Sequence, residues 1–139
     1  MVKKIVAVVV GAAVAVLLVM LIQQLGHNLY PPPQGLDPAD EEFMRDYIAN
    51  LPWGPLAFVL ASYVLSTLIG GWGAAAIAGE RPLLFAGIVA LFVLAGAIST
   101  MVMIPHPSWF MIAAVVGIVL AAMVAASLAS RSGGNSRAV

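Results

Sequence analysis

The sequence predicts an all-α membrane protein: a four-transmembrane-helix bundle with a short amphipathic helix between the first and second spans. Three observations predict it. Hydrophobic residues make up 63% of the 139 residues and charged residues only 9%. Soluble domains run near 45–50% and about 25%, and one buried core cannot absorb the excess. Four long runs, Ile5–Ile22, Trp53–Gly79, Pro82–Ile104 and Trp109–Ser130, hold no charged residue. The basic and acidic residues sort to opposite sides of those runs.

A helix crosses a hydrocarbon core of roughly 30 Å with about 20 apolar residues. The runs are rich in Ala, Val, Leu, Ile and Gly without period-two alternation, which excludes barrel strands and leaves helices to satisfy the backbone in lipid. The first span is expected at about 5–25, with Gln23, Gln24 and Leu25 carrying it into the interface. Lys3 and Lys4 before an apolar run also begin signal peptides. The run is longer than a signal core, and no Ala-x-Ala site follows it, so a retained helix is expected.

The outer cap, 26–52, follows. Tyr30, Pro31, Pro32 and Pro33 cannot be helical throughout, because proline fixes φ and lacks a donor; an extended polyproline step is expected. Asp37-Pro38 reads as an N-cap with proline at N1. Asp40, Glu41 and Glu42 suit a first helical turn. Phe43, Met44, Tyr47, Ile48 and Leu51 recur at helical spacing and give the amphipathic helix, lying on the outer surface or across the bundle mouth.

The second and third spans, 53–79 and 82–104, are separated only by Glu80-Arg81 and must be antiparallel neighbours. The fourth, 109–130, follows the tight Ile104-Pro105-His106-Pro107-Ser108 loop. Residues 1–131 read as one domain, and 132–139 as a flexible cytoplasmic tail. Short Lys/Arg-bearing loops stay cytoplasmic. With both termini inside, that side holds Lys3, Lys4, Arg81, Arg131 and Arg137 with Glu80, and the outer side Asp37, Asp40, Glu41, Glu42 and Asp46 with Arg45. Tyr30, Tyr47, Trp53, Trp109 and Phe110 are expected near the outer interface, and Phe85 near the inner one.

Lipid supplies no hydrophobic force between helices, so small residues four apart are the expected contact faces. They are Ala7, Gly11 and Ala15 on the first span and Ser66, Gly70, Ala74 and Ala78 on the second. The last span carries Ala113, Gly117, Ala121, Ala125 and Ala129, facing either inward or a second copy.

Composition also excludes functions. The net charge is zero and no basic stripe exists, so no nucleic-acid partner is expected. Cysteine is absent, which removes disulfide scaffolds, thiol catalysis and quinone-linked thiol oxidoreductases. No ionisable residue lies within the runs, which argues against a proton-coupled transporter. Small multidrug exporters also have four helices but rely on a glutamate in the first, and Val8 to Leu21 contains none. Ser62, Ser66 and Ser99 have no histidine at their depth, as an intramembrane serine protease would need.

The remaining polar groups gather at the outer mouth. Gln23 and His27 are four apart, as are Gln24 and Asn28. His106 sits between two prolines, with Ser99 and Thr100 within two turns below it. His27, His106 and Asp37 are a candidate divalent-metal set by donor type. The alternative is that each histidine fastens a loop carbonyl, and no cofactor is predicted as resident. Ser62, Tyr63, Ser66 and Thr67 form a mildly polar band on the second span. It reads either as ordinary back-bonding to i−4 carbonyls or as the wall of a cleft for a small molecule or lipid headgroup.

Three strings are distinctive: Gly26-His27-Asn28-Leu29-Tyr30-Pro31-Pro32-Pro33-Gln34-Gly35-Leu36-Asp37, Tyr47-Ile48-Ala49-Asn50-Leu51-Pro52, and Ile104-Pro105-His106-Pro107-Ser108-Trp109-Phe110. With them the chain resembles a group of small bacterial four-helix inner-membrane proteins. The resemblance implies a bacterial inner membrane and a periplasmic outer side. It brings no activity, cofactor or catalytic residue. The leading functional expectation is a non-enzymatic accessory or assembly component acting through helix packing and its periplasmic cap. Its partners would be the lipid bilayer and a second copy or another membrane protein. The first alternative is a binder or conduit for a small ligand or divalent metal at the periplasmic mouth. The second is a lipid- or quinone-linked membrane enzyme.

Overall fold

The computed structural model describes residues 1–137, and among them the chain is helical with no strand. The helices are α1 Val2–Leu29, α2 Glu41–Ala49, α3 Trp53–Ala78, α4 Pro82–Met103 and α5 Ser108–Arg137. All but α2 are long and apolar enough to cross a membrane.

α3 is the hub. It packs along α1, α4 and α5, whereas α1 and α4 meet over a short stretch only. Glycine sets the α1–α3 distance. A Cβ on Gly11 would stand 2.7 Å from the Gly70 carbonyl oxygen and 2.6 Å from Ala74 Cβ. A Cβ on Gly70 would stand 2.6 Å from the Gly11 carbonyl oxygen and 2.9 Å from Ala15 Cβ. Each carbonyl therefore faces the other helix's glycine, a geometry that favours weak Cα–H···O contacts. Ala7, Ala15, Ser66, Ala74 and Ala78 are buried beside the crossing.

The neighbouring face of α3, about 100° round the helix, meets two helices at once. A Cβ on Gly71 would lie 3.4 Å from both Ala125 Cβ on α5 and Ala86 Cβ on α4. Ala86, Ala125 and Ala126 with Leu68 form a small cluster of their own. The hydroxyls within α3 cost nothing in unsatisfied groups: Ser62 donates to the Val59 carbonyl at 2.6 Å, and Ser66 and Thr67 both donate to the Tyr63 carbonyl.

On α5 the buried face is Phe110, Ala114, Ile118, Ala122, Ala126 and Ala129, joined by Ala121 and Ala125. The small-residue ladder thus turns inward in its C-terminal half. Ala113 and Gly117 sit at the margin, where a Gly117 Cβ would meet only the Val64 side chain, at 2.8 Å.

Several local readings are corrected. α1 continues through Gly26 to Leu29 before the prolines stop it. Gly26 is buried because a Cβ there would stand 3.0 Å from Phe58. Tyr30 completes this second lock, its hydroxyl against Gly54 and its ring edge-on to Phe58 at 6.1 Å. The cap of α2 is Asp40, whose side chain accepts from Phe43 N–H, and not Asp37-Pro38. Asp37 instead accepts from the Ala39 N–H at 2.9 Å and closes the preceding turn. Phe110 and Phe85 are buried and do not anchor an interface, while Trp53 and Trp109 are exposed.

α5 runs on through Ser132 to Arg137, where a flexible tail was expected. The Ser130 and Ser132 hydroxyls bond the Ala126 and Leu128 carbonyls, extending the i−4 ladder where serine could have broken it. Residues 138–139 of that expected tail lie outside the described residues.

At the other end of the bundle, Gly79 takes a left-handed φ of 72° and ends α3. Lys4 bridges Glu80 at 2.5 Å, tying the start of α1 to the α3–α4 turn. That hydrogen bond and the Lys4 charge hold the Glu80 carboxyl below its ordinary pKa.

These contacts rank three substitutions. Gly70→Val meets backbone and should cost about 1–3 kcal/mol through overpacking. Gly117→Leu meets a side-chain end that can rotate and should cost less. Gly87→Leu, with open space around it, should leave stability unchanged. Thermal unfolding in one mild detergent reads the order, and equal losses for Gly70→Val and Gly87→Leu would contradict it.

Candidate functional site

α1 and α4 meet so briefly that they leave a lateral cleft of about 230 Å³ between them. Ala12, Val16 and Met20 of α1 form one lip, Phe92 and Gly96 of α4 the other, and Tyr63 of α3 the back. Gly96 keeps the entrance wide, since a Cβ there would meet nothing within 4 Å.

The cleft is apolar over most of its length and polar at one end. Gln23, in the last turns of α1, donates from Nε2 to Ser62 Oγ at 3.1 Å. The Tyr63 hydroxyl meets the side chains of Thr100 and Gln23. Thr100 also donates to the Gly96 carbonyl at 3.0 Å. Gln23, Tyr63 and Thr100 line the space itself, while Ser62 is fully buried behind them. None of these groups is ionisable near neutral pH, so the polar end offers hydrogen bonds without charge.

The other outer-mouth residues are placed apart from this cleft. His27 sits on the exposed side of α1, its Nδ1 3.0 Å from the Gln23 carbonyl. Asn28 accepts from Gln24 at 3.3 Å. His106 has its Nδ1 2.6 Å from the Ile104 carbonyl and stacks on Phe110 with centroids 5.0 Å apart. Ser99 is exposed and donates to the Ala95 carbonyl. His27, His106 and Asp37 do not come together: among the described residues no group of three or more His, Cys, Asp or Glu side chains is placed so that it could hold a metal ion. Each makes a local backbone contact instead.

A second groove, about 420 Å³, runs between α4 and α5 and is lined by Leu83, Leu84, Leu91, Val119, Met123 and other apolar residues. It offers packing surface and no polar group.

No protein-family model matches the chain, nor does any curated protein or solved structure.

Sequence reasoning singled out Gln23, Thr100 and the Ser62–Thr67 band separately. It missed that they share one cleft. The usable signal was depth: Gln23 and Thr100 each lie within two turns of the same end of the bundle.

The histidine contacts lead to a direct test. His106→Ala should cost about 1 kcal/mol for the lost hydrogen bond, together with its stacking on Phe110. His27→Ala should cost less at its exposed position. Metal analysis of protein purified without chelator or His-tag should read below about a tenth of an equivalent in both variants and the parent. One equivalent of metal, lost in either variant, would contradict the local-fastener role.

Proposed function

We propose that the protein is a non-enzymatic, multi-pass component of the bacterial inner membrane, acting as an accessory or assembly element through helix packing and its periplasmic cap. Its termini are cytoplasmic, and α2 is the periplasmic element. The observation that carries this reading is how the polar groups are used. The hydroxyls of Ser62, Ser66, Thr67, Ser99 and Thr100 bond carbonyls of their own helices, and both imidazoles contact nearby carbonyls. That arrangement builds helices and loops; it does not align a nucleophile with a base.

One feature supports the sidedness, and a second supports α2 as a cap. The end of the bundle bearing Lys3, Lys4 and Arg81 holds clustered Lys and Arg, which the positive-inside rule assigns to the cytoplasm, while the segment bearing Asp37, Asp40, Glu41, Glu42 and Asp46 has only Arg45. α2 makes no close backbone approach to the other helices. Its Phe43 is exposed while Met44 and Ile48 are covered, so it presents both polar and apolar surface to whatever lies above the bundle.

A small-ligand binder is the second reading, favoured by the cleft beside Gln23, Tyr63 and Thr100.

Two measurements test the proposal. A reporter fused after Val139 should be active only in the cytoplasm, and one inserted at Gln34 only in the periplasm; the reverse pattern would overturn the sidedness. Native mass spectrometry from mild detergent should give a mass above the monomer, from a second copy or a membrane-protein partner. A bare monomer at every detergent concentration would overturn the assembly role.

A further inference from the structure

We infer that the α1–α4 cleft is a binding site for an uncharged membrane amphiphile, entered sideways from the bilayer, whose carbonyl or hydroxyl head is held by Gln23, Tyr63 and Thr100.

The entrance fixes the route. Met20 and Phe92 on the two lips are 64% and 60% exposed, in the middle and outer parts of membrane-crossing helices. A ligand reaching the cleft therefore arrives through hydrocarbon and must itself be lipid-soluble. The lining fixes the head. Gln23 Nε2 already donates to Ser62 and the Thr100 hydroxyl to the Gly96 carbonyl, which leaves the second Gln23 amide hydrogen and its carbonyl oxygen, the Thr100 lone pairs and the Tyr63 hydroxyl for a ligand. Among the described residues no Lys, Arg or His lines the space, so a phosphate or carboxylate would be buried unpaired and is rejected. A carbonyl or hydroxyl meets its partners there and leaves its tail along Ala12, Val16 and Gly96.

Depth and size agree with this occupant. Gln23 and Thr100 lie in the final turns of their helices, at the end that carries Trp53 and Trp109. Hydrogen-bonding heads of neutral amphiphiles reside at that level, and their chains hang toward the bilayer centre. A volume of about 230 Å³ is below the usual range for whole drug-sized ligands, about 300–1,000 Å³. It suits one ring or one head with a short length of chain, with the remaining tail in lipid. Two sources share this chemistry: a quinone with its ring carbonyls, and a glycerolipid with its free hydroxyl and ester carbonyls.

The test uses the full chain in mild detergent, titrated in separate arms with a decyl-substituted benzoquinone and with dioleoylglycerol, and read by native mass spectrometry. One arm or both should saturate at one equivalent, and the tighter arm names the source. Gly96→Leu fills the entrance from a position with open space and should weaken binding at least about tenfold. Thr100→Val and Tyr63→Phe each remove one hydroxyl and should weaken it about fivefold, the scale of a single hydrogen bond. Gly87→Leu, which projects into the α4–α5 groove instead, should bind like the parent. Failure of both probes to saturate at one equivalent overturns the site. So does unchanged binding in Gly96→Leu and Thr100→Val, or a loss in Gly87→Leu as large as in Gly96→Leu. The readout is bound ligand, so its failure is separate from failure of the assembly role, which is read as protein mass.

Discussion

The Gly11–Gly70 approach is the constraint on which the rest of the bundle depends. In lipid, two helices gain little by burying apolar side chains against each other, because the tails they displace are equally apolar. What holds them is contact density, and that needs backbones to come close. Gly11 and Gly70 permit a carbonyl from each helix to reach the other's surface. Ala7, Ala15 and Ala74 then continue the contact above and below. α3 cannot carry large residues on this face, and it cannot carry them on the next face round either. There Gly71 receives Ala86 and Ala125 from α4 and α5. One helix thus serves three neighbours through two adjacent glycines.

This arrangement creates the cleft. α1 is drawn onto α3, and α4 is held to the neighbouring face by the Gly71 contact and by the short Gly79–Arg81 turn. The two outer helices are left touching briefly, and the space between them opens on the side of the bundle beside Met20 and Phe92. Its polar end is part of the same construction, because Gln23 crosses from α1 to Ser62 on α3. A residue that fastens two helices therefore also borders the site. The same dual use recurs at Thr100, which back-bonds to Gly96 and faces Tyr63.

The four long helices and the short amphipathic one were legible in the sequence, because charge-free length and helical spacing are local properties. The azimuth of each helix was not. Spacing by four singles out Gly117 and Ala121 together, yet the buried row is Phe110, Ala114, Ile118, Ala122 and Ala126, one position along the helix; Ala121, Ala125 and Ala129 join it only toward the C-terminus, which leaves Gly117 at the margin. The cap of α2 was misplaced by three residues, because Asp37-Pro38 and Asp40 both satisfy the N-terminal signature. Asp37 closes a turn, and Asp40 starts the helix. Phe110 read as an interfacial aromatic, but it is fully buried as part of the main hydrophobic core cluster, with its ring also stacked on His106. The candidate site was legible only as separate residues. Gln23, Tyr63 and Thr100 come from three helices, and only their packing makes them neighbours.

The α1–α3 contact can be measured in the native membrane because the chain has no cysteine of its own. A protease site inserted at Gly35, where a side chain would meet nothing within 4 Å, separates α1 from the rest after cleavage. Cysteines placed at Gly26 on α1 and Phe58 on α3, where the atoms nearest a Gly26 Cβ all belong to the Phe58 side chain that the exchange shortens, should form a disulfide under mild oxidation and keep the cleaved chain whole on a non-reducing gel. Cysteines at Ala13, exposed on α1, and Gly73, with open space around it, should let the fragments part. Fragments that separate in the first pair, or remain joined equally in both, would contradict the close crossing on which this account rests.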